Sequence, residues 1–226
     1  MTQTEQRQRA PSRRSVETRK RILDAAERLF AQNTYEGASI RDIATAADVP
    51  VALVSFHGGS KAALFATVVA RRADELSRAR LEALQALKAG GEPPTLGAIL
   101  RCFIQPYLEK AAGGGPQWPA YARLVAQVSA DERWRAISER CFDPAVGLFL
   151  DEIAALFPHA DPRKLAAGFV FTVAAMLSLA TSQWRIGALS GSIDKSSPAS
   201  LEGWTDFLVA FCENGLQAAF NSSSVG

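Results

Sequence analysis

The chain has 226 residues, 48% of them apolar, with 25 Lys+Arg against 23 Asp+Glu and a formal net charge of +2. That length suits one or two domains, and so much apolar material excludes wholesale disorder. The 16 Gly and 11 Pro exclude a collagen-like chain, and three scattered Cys (Cys102, Cys141 and Cys212) exclude a disulfide scaffold. With two His, His57 and His159, little material exists for a histidine-based metal or catalytic site, and no cofactor is expected.

Residues 1–14 are polar and Arg/Gln-rich and read as a flexible arm; they carry no apolar stretch of the kind a secretory signal needs. Unpaired thiols fit a reducing cytoplasm. Charge is unevenly laid out: residues 1–85 carry 14 basic and 10 acidic side chains, residues 86–226 carry 11 and 13. A modestly basic front end suits a polyanionic partner, although a solvated helix face gives the same count.

Apolar residues recur at helical spacing along nearly the whole chain. Ile22, Ala25, Ala26, Leu29 and Phe30 predict a first helix over about 16–32. Ser39 is placed to cap a short second helix carrying Ile40, Ile43, Ala44 and Ala47, and a third short helix covers 50–57 before Gly58-Gly59. Ser60 caps a long fourth helix with Leu64, Phe65, Val68 and Leu76, and Thr95 caps a fifth with Phe103 and Tyr107. Tyr121, Leu124, Val125 and Val128 open another helix, and Asp131 the next, which Pro144 divides. Asp161-Pro162 is a clean helix start, residues 187–200 read as a loop, and a last helix over 200–220 carries Trp204, Phe207, Leu208 and Phe211. No alternating pattern of useful length occurs. The expectation is an all-α fold of about nine helices.

Residues 165–184 contain no charge and are long enough to span a bilayer. A helix apolar all round is also found in a protein interior or an interface. Thr172, Ser178, Thr181, Ser182 and Gln183 dilute the stretch, no second one accompanies it, and the interior reading is preferred.

The informative block is SIRDIATAADVPVALVSFHGGSK, residues 39–61. Two helices of about two turns cannot hold themselves up and persist only by packing crosswise. Ala44 and Ala47 permit close approach, and Ile40, Ile43, Val49, Leu53 and Val54 supply a shared core beneath Ala26, Leu29 and Phe30. This is the pattern of a helix-turn-helix, although a helical hairpin inside a core would share it. In that geometry the second member is narrow enough for the major groove. Val51, Ala52, Ser55 and Phe56 would face base edges between the flanking Pro50 and His57, while Ser39, Arg41 and Lys61 would face phosphates.

Residues 21–65 resemble the N-terminal domain of the TetR family of bacterial transcriptional regulators. The resemblance is carried by Ile22, Ala25-Ala26, Leu29-Phe30, Tyr35, Ser39-Ile40, Ile43-Ala44, Ala47, Val49, His57 and Ser60-Lys61. It implies a helix-turn-helix DNA-binding domain over 15–65 and an effector-binding and dimerisation domain over 66–226. Four positions depart from the family pattern. Asp48 stands where Gly is usual, Pro50 where Ser caps, and Phe56 where Tyr is frequent; Gly58 replaces a Phe that packs between the third and fourth helices and is expected to loosen that joint.

The resemblance further implies a homodimer through the last two long helices, a near-palindromic double-stranded DNA operator, and repression relieved by a small-molecule effector. A membrane is not among the implied partners. Phe103, Tyr107, Trp118, Tyr121, Leu124, Trp134, Phe149, Phe171 and Met176 are candidates to line an apolar effector pocket, though each is also ordinary core; Arg101 or Arg123 could meet an acid group. For an enzyme, Ser55 and the Cys residues lack a recognisable base partner, and no Gly-rich phosphate loop follows a strand.

Overall fold

The computed structural model describes residues 12–115, 117–191 and 201–221. Among them it has eleven α-helices, one 3-10 turn and no strand. The chain divides into two compact units, Met1–Val68 and Val69–Gly226.

The first unit contains α1 (Arg13–Gly37), α2 (Ile40–Ala46), α3 (Val51–Gly58) and the start of α4 (Lys61–Ala89). The expected arm lies outside the described residues as far as 11. Ser12 already caps α1 and accepts from the Ser15 amide at 3.2 Å, so Arg13 and Arg14 are helical rather than part of an arm. Near its end α1 is interrupted at Thr34, whose φ of 61° is left-handed. For a β-branched residue that conformation costs about 1–3 kcal/mol and needs an offset. The break turns Tyr35 back onto Phe30 (centroids 5.9 Å apart), and Phe65 stands edge-on to both at 5.1 and 5.3 Å. Around this trio Ile22, Ala26, Ile43, Val54, Leu64 and Val68 are fully buried.

The second unit continues α4 and adds α5 (Leu96–Gly113), α6 (Trp118–Ala130), a 3-10 turn (Glu132–Trp134), α7 (Arg135–Cys141), α8 (Asp143–Leu156), α9 (Pro162–Thr181), α10 (Gln183–Ser190) and α11 (Leu201–Asn221). Three starts follow the expected caps: Thr95 accepts from the Ala98 amide at 3.2 Å, Asp131 from Arg133 at 3.1 Å and Asp161 from Arg163 at 2.8 Å, with Pro162 in the first turn. Two differences raise the helix count above nine. The 131–156 stretch is three pieces, and residues expected in a loop from 187 are helical to Ser190, the rest of that loop and the 222–226 tail lying outside the described residues.

The uncharged segment forms most of α9, which is long and apolar enough to cross a membrane. Leu165, Phe169, Thr172 and Met176 are nonetheless buried, and the helix packs against α5, α6, α8 and α11. Gly168 allows α9 and α11 to approach closely: a Cβ there would run into Leu216 and lie 3.0 Å from Phe220. The three cysteines are free thiols.

Gly58 does not leave the joint between α3 and α4 loose. Leu64, fully buried, fills the space a larger residue would take, and a Cβ on Gly58 would lie 2.8 Å from its Cδ1 and 3.3 Å from its Cβ. Gly58→Ala is therefore expected to destabilise the protein by about 1–3 kcal/mol through overpacking, read from denaturant midpoints. An unchanged midpoint would mean that Leu64 shifts freely.

Candidate nucleic-acid interface and effector cavity

The interface is built on α2, the turn after it, and α3. Ser39 closes a reciprocal capping box: its Oγ accepts from the Asp42 amide at 3.1 Å, and its own amide donates to Asp42 Oδ2 at 3.2 Å. The Ser39 hydroxyl also donates to that carboxylate at 2.6 Å. Its hydroxyl proton and its amide are thus both spent within the helix cap, so Ser39 sets the start of α2 and has no donor left for a phosphate. Arg41 is exposed on the same short helix.

In the turn Asp48 takes φ 50°, the left-handed conformation that a Gly would adopt without strain. The turn is held from outside. Arg21 of α1 donates from Nε to the Ala47 carbonyl at 3.1 Å, and from Nη2 to the carbonyls of Ala47 and Asp48, the latter at 2.5 Å. Its Nη2 also lies 3.5 Å from the Asp48 carboxylate. These carbonyls sit where α2 ends and would otherwise lack helical partners. Sequence reasoning did not single out Arg21, because its partners lie 26 and 27 residues away and no local pattern joins them.

Pro50 begins α3 without a side-chain cap. Of the α3 residues only Val54 and Gly58 are buried. Val51, Ala52, Ser55 and Phe56 are all exposed, Phe56 by 78%, and His57 stacks edge-on against Phe56 with centroids 5.0 Å apart. Leu53, expected in the shared core, is exposed instead; one residue before Val54, it is turned about 100° away from the narrow inward stripe. Lys61, the first residue of α4, stands 4.6 Å above the Tyr35 ring and donates to the Glu36 carbonyl at 3.3 Å. Ser60 caps that helix, accepting from the Ala63 amide at 3.1 Å.

The second unit contains a cavity of about 480 Å³. Its wall takes Leu76 and Arg80 from α4, Phe103 and Tyr107 from α5, Val125 and Ser129 from α6, and Phe169, Val173 and Met176 from α9. Of the expected pocket residues, Phe103, Tyr107 and Met176 line it. Trp118, Leu124, Trp134 and Phe149 are buried off the wall, as is Tyr121, which nonetheless lies near enough to Arg80 to interact with its charge, and Phe171 points outward at 70% exposure, while its neighbour Val170 reaches the cavity. The sequence pattern showed which residues are apolar but not which side of α9 faces the void. Nor is Arg101 the cavity's cation, since it pairs with Asp206 at 2.6 Å, and Arg123 is exposed outside the wall. The buried cation on the wall is Arg80, whose Nε donates to the Phe103 carbonyl at 2.8 Å. Burial lowers its pKa to about 9.

A third feature is an apolar face left open on the second unit. Val170 and Phe171 of α9 are exposed at 62% and 70%, and Phe207 and Phe211 of α11 at 63% and 65%. Phe207 and Phe211 lie four residues apart on one stripe of α11, whereas Val170 and Phe171 are neighbours about 100° apart on α9. Leu208, grouped with Phe207 in the sequence pattern, is buried, and Trp204 is half-buried.

A small helical unit that presents a barely buried helix beside a capped turn, together with a larger helical unit that encloses a cavity, defines a helix-turn-helix regulator. The comparisons agree. Residues 22–68 match the profile of bacterial regulatory proteins of the tetR family, and residues 101–215 match a tetracyclin repressor-like C-terminal domain. The chain belongs to the TetR family and is a DNA-binding transcriptional regulator, not an enzyme.

Its fold is similar to that of a transcriptional regulator from Pseudomonas aeruginosa PAO1 (16% identity, 92% of each chain covered, TM-score 0.58). It is also similar to a TetR-like regulator from Rhodococcus sp. RHA1 (18% identity, 92% of this chain and 99% of that one, TM-score 0.56). AmtR of Mycobacterium smegmatis is a third such structure (18% identity, 96% of each, TM-score 0.56). No curated protein matches the sequence.

Arg21→Ala is expected to lower stability by about 1 kcal/mol, since charge-assisted bonds to two carbonyls are lost at a half-exposed site. Arg21→Lys should recover only part, because a point charge cannot span both carbonyls as a guanidinium does. Chemical denaturation of the three proteins checks the order; equal midpoints for wild type and Arg21→Ala would show that the turn holds itself.

Proposed function

We propose that the protein is a repressor that binds a near-palindromic operator as a homodimer and leaves it when a small, largely apolar effector occupies the second unit. The observation that carries the DNA reading is the exposure of Val51, Ala52, Ser55 and Phe56 on a helix anchored by Val54 and Gly58 alone. A helix so little buried has its side chains free for base edges, and the apolar ones among them suit thymine methyl groups. Lys61 and Arg41 would serve phosphates, Ser39 acting through the cap of the helix that carries Arg41, with Pro50 and His57 at the two ends of the reading helix.

The open face of α9 and α11 supports dimerisation through those two helices. Large apolar side chains left exposed on two packed helices suit an interaction site, and a second copy supplies a matching face by symmetry. Two copies would then present reading helices to successive major grooves about 34–36 Å apart. A DNA-binding regulator of this kind acts in the cytoplasm.

Release requires that the effector bind the DNA-incompetent arrangement more tightly than the competent one. The element suited to transmit that preference is α4, a single helix that begins at Lys61 and contributes Leu76 and Arg80 to the cavity wall.

Selection of bound sequences from random duplexes tests the reading directly; a palindromic consensus is expected, and no enrichment over background would refute it. Lys61→Ala should weaken binding to all duplexes about equally and lower the slope of log K against log salt by about 1. Val51→Ala and Ser55→Ala should instead change the preferred sequence. Phe207→Glu together with Phe211→Glu should give a monomer by analytical ultracentrifugation and abolish high-affinity operator binding; a double variant that stays dimeric would move the interface elsewhere.

A further inference from the structure

We propose that the effector is an amphipathic organic acid, its carboxylate held by Arg80 and Tyr107 and its hydrocarbon or aromatic part filling the remainder of the cavity. This rests on the reading of the cavity as the effector site and adds the chemical class of the ligand.

Arg80 is only 6% exposed and carries a charge that the described residues leave without a carboxylate partner. Its guanidinium lies 3.5 Å from the centroid of the Phe103 ring, with Nη2 3.5 Å from the Met176 sulfur. A guanidinium has five N–H donors, and the Phe103 carbonyl and the thioether engage two of them. An isolated charge in an apolar interior is costly and is normally paired.

Beside it on the same wall, Tyr107 is 1% exposed, and its hydroxyl has no hydrogen-bond partner among the described residues. Burial pushes the Tyr107 phenol up, so it stays protonated and remains a donor. Arg80 remains a cation at neutral pH despite the lowering.

The two side chains therefore offer donors and a positive charge. The group that satisfies both is an anionic acceptor, and a planar carboxylate matches the guanidinium fork while taking the phenol proton on its other lone pairs. Apart from Ser129, Ser138 and Asp143, the rest of the wall, including Leu76, Val125, Phe169 and Val173, is apolar, which calls for a largely non-polar body. Asp143 also reaches the wall, but it is exposed and solvated, so it neither neutralises Arg80 nor bars an acid bound at the buried end. A cationic ligand would meet Asp143 and leave Arg80 uncompensated.

The test uses the full-length protein and four probe acids (phenylacetate, 4-phenylbutyrate, octanoate and decanoate), each paired with its primary amide and matching amine. Calorimetry and thermal shift are read with wild type, Arg80→Met, Arg80→Lys and Tyr107→Phe. At least one acid should bind wild type tenfold or more tighter than its amide. Arg80→Met should erase that difference and Arg80→Lys restore part of it. Tyr107→Phe should weaken the acid about threefold to tenfold while leaving the ligand-free melting temperature within about one degree. If Arg80→Met fails to fold, the acid–amide comparison and Tyr107→Phe still decide.

Amides or amines that bind as tightly as the acids would overturn the acid assignment and leave an effector cavity in place. No binding by any of the series at millimolar concentration would overturn both.

Discussion

An eight-residue helix buries too little of itself to be stable alone, and α3, the helix proposed to read DNA, is of that length. Everything around α3 is arranged to hold it from one side. Val54 reaches into the core, Gly58 accepts the whole side chain of Leu64, and the Asp48 turn is tied to α1 through Arg21. The strained backbone at Thr34 belongs to the same arrangement, since it brings Tyr35 against Phe30 and Phe65 and sets the ring over which Lys61 stands. Strain in one turn and a glycine in another are offset by aromatic packing and charge-assisted hydrogen bonds, and the outcome is a face of α3 that the protein itself does not use.

The second unit solves a different problem. Its core is large and apolar, yet it encloses a void with a cation and a phenol at its wall. Pro106 lies in α5 between Phe103 and Tyr107 and removes one amide donor from the helix ladder. The carbonyl that this leaves without a ladder donor is that of Cys102; the next one, of Phe103, accepts from Arg80 and fixes the guanidinium in place. A preorganised charge of this sort lowers the ordering cost of binding.

The open face of α9 and α11 adjoins that cavity. Val170 is at once on the cavity wall and on the open face, so a second subunit docked there would border the cavity mouth. In the proposed dimer, occupancy and subunit packing would share Val170, which would be a physical route for coupling the two. The close approach of α9 and α11 at Gly168 makes the two helices one surface.

The sequence by itself determined most of the helices, several of their caps and the helix-turn-helix, because these rest on local signals. Apolar spacing of three and four, a Ser or Asp before a helix, and an Asp in a left-handed turn all act over a few residues. The exposure of Val51, Ala52, Ser55 and Phe56 was legible for the same reason, since the side a residue takes on a two-turn helix follows from its period. What only the tertiary structure decided involves partners far apart in the chain. Arg21 meets Ala47 and Asp48 across 26 and 27 residues, Leu64 fills the place a side chain on Gly58 would need, and Leu53 is turned out while Val54 is turned in. Among many apolar candidates, hydrophobicity could not tell cavity wall from solid core, and charge could not tell Arg101, taken by Asp206, from Arg80, buried without an acid. Helical periodicity fixes which residues share a face; which face meets a neighbour, a void or water depends on how the helices pack.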